Sequence, residues 1–120
     1  MNTSGKIRTF PTGSTRDSAE GKPPMELLPL DLLIRVAILY GKGAEIYGSH
    51  NWRKGQTQSA VLGSLMRHLT AYIMGKKDED HLAAVIWNAL SLMNVDEYHS
   101  DNKEVADLQT WWADGKPTGL

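Results

Sequence analysis

Cysteine is absent from this chain of 120 residues, which excludes a disulfide framework, a Cys-ligated zinc, an iron–sulfur cluster and a thiol nucleophile. Long apolar runs are absent as well. The longest, residues 32–40, is broken by Arg35 and does not read as a membrane span. The N-terminus has no cationic head followed by an apolar stretch, so no secretory signal is read and a cytoplasmic setting is the expectation. Neither sign of charge prevails: 13 Lys+Arg stand against 14 Asp+Glu, a formal net charge of −1. A dedicated duplex-DNA binder carries a basic excess, so no specific DNA binding is expected. The common catalytic signatures are missing too. There is no Gly-rich loop ending in Gly-Lys-Ser/Thr, no dinucleotide fingerprint, no Gly-x-Ser-x-Gly elbow and no His-Glu-x-x-His pair.

What is present fits one small domain with a non-helical leader. Residues 1–30 contain Gly5, Pro11, Gly13, Gly21, Pro23, Pro24 and Pro29, and no helical or alternating period survives that density of breakers. They read as an irregular arm, in which residues 12–22 form either a polar tail or a loop whose small residues, with Arg16 and Lys22, suit an anion. Residues 31–113 read as a single helical domain and residues 114–120 as a frayed tail. About 90 ordered residues bury only a modest core, so association of copies into a homo-oligomer is expected.

Inside the domain, apolar residues recur at helical spacing. After Pro29, Leu33, Val36, Ala37, Tyr40, Ala44 and Tyr47 fall on one stripe, with Gly41 and Gly43 marking either a break or a close approach. A loop follows at 48–55. The next helix runs over about 58–74 with Val61, Leu65, Leu69 and Tyr72 on its stripe, and His68 lies inside that stripe. A third helix is predicted from Asp78 to Val95. Its apolar residues reach nearly all the way round, which marks a central helix, while His81, Ala84 and Asn88 share one face. A short fourth helix carries Trp111 and Trp112, as an anchor or a subunit interface. The fold class is all-α, a compact bundle of three main helices plus a short C-terminal one.

Few polar residues in this pattern point to chemistry. Asp78, Glu79, Asp80 and His81 crowd one turn, an arrangement that caps a helix or holds a hard divalent cation. His68, His81 and Asn88 face inward, where polar groups need partners. The loop offers Asn51, Trp52, Arg53 and Lys54, and Arg67 lies near it in sequence: a stacking plane and cations suited to a nucleotide.

Four ordered blocks carry a family resemblance. They are residues 12–22 (Thr-Gly-x-Thr-Arg-Asp-Ser-Ala-Glu-Gly-Lys), residues 43–55 (Gly-Ala-Glu-x-Tyr-Gly-x-x-Asn-Trp-x-Lys-Gly), Arg67-His68, and residues 79–88 (Glu-Asp-His-Leu-Ala-Ala-x-x-Trp-Asn). Together they resemble the phage proteins grouped as dATP/dGTP diphosphohydrolase-domain proteins, more distantly the all-α MazG-like pyrophosphohydrolases. The resemblance implies a purine deoxynucleotide as substrate, cleaved to monophosphate and pyrophosphate with Mg²⁺ or Mn²⁺, in the host cytoplasm. MazG-like enzymes hold the metal with Glu-x-x-Glu and Glu-x-x-Asp, and neither pair is intact here. The nominated metal ligands are therefore Glu45, Glu79 and Asp80. His68, His81 and Asp80 are the catalytic candidates, and Arg16, Lys22, Asn51, Trp52, Lys54, Arg67 and Asn88 would bind nucleotide. The alternative is a sponge that sequesters a host immune signalling nucleotide without turnover.

Overall fold

The computed structural model describes residues 5–115. They divide into two units, one up to Leu30 and one from Asp31 onward. The first is not wholly irregular, as its composition suggested. Strand β1 (Ile7–Thr9) pairs antiparallel with β2 (Thr15–Asp17), Arg8 standing opposite Arg16. Gly13, at φ 88°, closes the turn by donating its N–H to the Phe10 carbonyl. Each strand has three residues, too few for an alternating pattern to register. Lys22 reaches back to Asp17 at 2.9 Å.

The second unit is the expected all-α arrangement: α1 (Leu30–Tyr47), α2 (Gln58–Ile73), α3 (His81–Tyr98) and the short α4 (Leu108–Gly115). The frayed tail expected beyond the helices starts no earlier than residue 116, and residues 116–120 lie outside the described ones. Helix α2 opens on Thr57, whose hydroxyl accepts from the Ala60 N–H at 3.3 Å, and stops where Gly75 takes φ 77°. Helix α3 begins three residues later than its acidic run suggested. Asp80 is its N-cap, accepting from the Ala83 N–H at 3.1 Å, which leaves Asp78 and Glu79 in the connection before it.

Helices α2 and α3 pack against each other at the centre, and the reason differs from the one that the apolar wheel of α3 gave. Its buried face is small or polar: Ala83, Ala84, Ser91, Asn94 and Val95, with His81 at the start. Small side chains let a neighbouring backbone come close, while Ile86 and Met93 stay exposed. Helix α1 runs unbroken through both glycines. Gly43 is a close approach, since a Cβ there would stand 3.3 Å from the Trp87 ring; Gly41 has open space around it. An Arg35–Asp80 ion pair at 2.6 Å also ties α1 to the start of α3.

Helix α4 docks on α2 through polar caps rather than through its tryptophans, as Trp111 and Trp112 are 46% and 56% exposed. Asp107 accepts from the Ser59 N–H at 3.0 Å and from the Ser59 hydroxyl at 2.5 Å, and the Gln58 side-chain oxygen accepts from the Leu108 N–H at 2.9 Å. Two helix starts thus satisfy each other's unpaired groups. Among the described residues, no helix is long and apolar enough to cross a membrane.

Candidate functional site

The 3-10 turn Asn51–Lys54 sits between α1 and α2 and forms one wall of a cleft of about 850 Å³. Its backbone needs special residues: His50 is left-handed at φ 63°, and Gly48 and Gly55 have φ 91° and 98°. What fixes the turn lies far along the chain. Asn94, 3% exposed on α3, donates its amide to the Trp52 and Arg53 carbonyls at 3.2 and 3.3 Å and accepts from the Arg53 guanidinium at 3.4 Å. His99 adds a ring N–H to the Arg53 carbonyl at 2.8 Å.

Held this way, the turn presents Trp52 to an aromatic group. Tyr40 of α1 lies 5.4 Å from Trp52 and 6.0 Å from Trp87, centroid to centroid, the second pair edge to face. The Arg53 guanidinium covers the Trp52 ring at 4.5 Å. Burial pushes the Tyr40 phenol up, against the pull of Arg53, so it stays a neutral donor. Asn51, Gln56, Ser64, Asn88 and Ser91 are among its polar groups, and among the described residues the lining contains no carboxylate. Asn88 donates its amide to the Ala84 carbonyl at 2.8 Å, leaving its side-chain oxygen for a ligand. Trp87 Nε1 is buried without a hydrogen-bond partner.

Farther along the same two helices a second group assembles. His68 is one turn beyond Ser64 on α2, and His81 is two turns before Asn88 on α3, about 10 Å along the axis. Their Nδ1 atoms are 2.9 Å apart. Glu79 Oε1 stands 3.6 Å from His68 Nδ1, and Asp78 Oδ1 is 2.8 Å from His81 Nε2. The hydrogen bond from His81 holds the Asp78 carboxyl below its ordinary range.

The structure thus brings Asn51, Trp52 and Asn88 to the cleft, and His68, His81 and Glu79 to each other. Four other candidates of the helical unit lie elsewhere in it. Asp80 gives both its oxygens to Arg35, at 2.6 and 2.7 Å, as well as capping α3, and the guanidinium holds its carboxyl down at about 2. Glu45 is exposed on α1 and is not among the donors that meet. Arg67 lies in a shallow groove with Met66, Thr70 and Met74, apart from the cleft lining. Lys54 is exposed at the end of the turn and does not line the cleft. Arg16 and Lys22 belong to the first unit.

Sequence reasoning left four residues that build the cleft out of its nominated site: Tyr40, read as core or interface, Arg53, read only as one of the loop's cations, Trp87 and Asn94. Arg53 carried a usable signal, a cation next to an aromatic in a Gly-bracketed loop. Asn94 carried a weaker one, an amide amid apolar residues near the end of a buried helix. Compared with known protein families, residues 12–106 match the family described as dATP/dGTP diphosphohydrolase, N-terminal. No curated protein and no solved structure matches the chain.

Proposed function

The chain belongs to the dATP/dGTP diphosphohydrolase N-terminal family, and from that premise we propose that it binds a purine deoxynucleoside triphosphate and hydrolyses it to the monophosphate and pyrophosphate. The observation that carries this reading is the carboxylate-free aromatic cleft, with an arginine and three amides, on the same α2–α3 seam as a pair of imidazoles. Aromatic faces suit a flat base, and each stacked base contributes about 1–3 kcal/mol in proteins that use such platforms. Asn51 and Asn88 supply donors and acceptors for a base edge, and Arg53 supplies charge for phosphate.

In this reading the phosphates extend along the seam toward His68 and His81. With no metal ion on the histidines, His68 accepts a proton at Nε2 as water attacks the α-phosphorus; the α,β-bridging oxygen leaves with pyrophosphate and its electron pair. The triphosphate enters as its Mg²⁺ or Mn²⁺ complex, in which the cation offsets charge on the phosphate oxygens. Asp80 holds α1 to α3 and plays no part at the reacting atoms.

A sponge without turnover is the second reading, favoured by the lack of any carboxylate in the cleft lining. Incubation with a panel of nucleotides and Mg²⁺ or Mn²⁺, followed by identification of both products and retained ligand, decides between them. Purine deoxynucleoside monophosphate with equimolar pyrophosphate is the expected outcome. A nucleotide retained intact selects the sponge, and neither product nor ligand removes both readings.

We also propose that the protein works as a homo-oligomer whose copies meet on α1. Among the described residues, only Val36, Val61, Ala83, Ala84 and Val95 form the buried apolar core, while Ile34 and Ile38, on the side of α1 away from Val36, are 59% and 53% exposed. A core this small beside an uncovered isoleucine stripe fits a second copy of the same chain.

A further inference from the structure

We propose that His68, Glu79 and His81 bind one divalent transition-metal ion, with Asp78 as the outer carboxylate that orients His81. The proposal does not rest on the nucleotide reading and can stand or fall without it.

Three donors meet: two imidazole nitrogens 2.9 Å apart and a carboxylate oxygen 3.6 Å from one of them, all within 4.8 Å of one another. Around a tetrahedral ion with metal–nitrogen bonds of about 2.0–2.1 Å, neighbouring ligand atoms stand roughly 3.3 Å apart. A shift of a few tenths of an ångström brings the His68–His81 and His68–Glu79 separations to that spacing, and rotation of the exposed Glu79 side chain can close the third. The proton inventory points the same way. Asp78 accepts from His81 Nε2, so His81 carries its proton there and offers the Nδ1 lone pair toward His68. Without metal, His68 Nδ1–H donates into that lone pair. With metal, the His68 proton moves to its Nε2 and both Nδ1 lone pairs turn to the ion.

The surroundings suit a cation. His81 is buried, at 7% exposed, while Glu79 and Asp78 are open to solvent. His68 is itself partly exposed, so the cluster is open to an ion from solvent. Two carboxylates next to two neutral imidazoles balance a double charge. The donor set selects the metal class: imidazole suits zinc, copper, iron or nickel, whereas Mg²⁺, Ca²⁺ and Mn²⁺ favour oxygen ligands. Two histidines and one glutamate also leave a coordination position open, as in sites where an ion holds water or substrate. That open position would face whatever extends along the α2–α3 seam.

The test uses tag-free, full-length protein stripped with a chelator, without nucleotide. Cobalt(II) is added and followed by visible absorption, then displaced with zinc, and calorimetry gives the stoichiometry. The expected result is one Co²⁺ per chain with a low-symmetry spectrum that Zn²⁺ abolishes and excess Mg²⁺ leaves unchanged. His68→Asn removes a partly exposed ligand and is expected to abolish the spectrum with helical circular dichroism retained. Asp78→Asn keeps every ligand and lowers affinity about 10- to 100-fold, the range for outer partners of metal-bound histidines. No cobalt spectrum in the folded wild-type protein overturns the proposal, and so does binding that both substitutions leave intact. Because no nucleotide is present, this result is separate from any failure to detect hydrolysis.

Discussion

Asn94 shapes the cleft without lining it, because one buried amide satisfies two carbonyls of the turn that carries Trp52. Asn94→Asp keeps the shape but removes both donors and sets a carboxylate against two carbonyl oxygens. The variant is expected to lose about 2–3 kcal/mol in urea denaturation and to shift Trp52 fluorescence. Arg53→Gln addresses binding: about 1.5–3 kcal/mol of nucleotide affinity is expected to go, whereas Arg67→Ala, outside the cleft, leaves affinity near that of the parent in calorimetry. At this scale the sequence was half legible. His68, His81 and Asn88 could be picked out because polar groups on an otherwise apolar face need a reason, and Trp52 because it stands beside cations in a Gly-bracketed loop. Asp80 looked like a metal ligand because its acidic neighbours were visible, while Arg35, 45 residues earlier, was not visible as its partner.

Elements were easier to read than residues, since helical period is a local property and partners are not. The three main helices followed from spacing alone. The start of α3 was misplaced because capping by Asp80 depends on which carboxylate bends back to Ala83, and the β1–β2 hairpin was too short to carry a period. Gly41 and Gly43 looked alike in sequence and differ in the fold. Gly41→Ala adds helix propensity with no neighbour to strike, and thermal denaturation is expected to show a gain of about 0.5–1 kcal/mol. The α2–α4 junction has a pH signature. The Ser59 hydroxyl and backbone hold the Asp107 carboxyl below its ordinary value. Its stabilising contribution is therefore complete above the unfolded value of about 4 and is lost as pH falls through the lower, folded value. Acid titration of tryptophan fluorescence is expected to report loosening of α4 below about pH 4, and Asp107→Asn to weaken α4 docking already at neutral pH.

The whole molecule buries little and exposes much, and this is where sequence reading reached least far: apolar stripes announce that a face will be covered without saying by what. Light scattering at tens of micromolar is expected to give at least a dimer, and Ile34→Glu with Ile38→Glu a monomer that keeps its helical circular dichroism; a wild-type monomer would remove the proposed assembly. Helix α1 brings these matters together. Its inner side lends Tyr40 and Gly43 to the cleft, and its outer side carries Ile34 and Ile38. Occupancy of one side and coverage of the other are then thermodynamically linked, and the linkage is reciprocal. If a second copy steadies α1 in the pose that a ligand requires, apparent affinity rises with protein concentration, and ligand in turn lowers the concentration at which copies associate. The cleft would then be sensitive to abundance, half filled at one ligand level in dilute protein and at a lower one in concentrated protein.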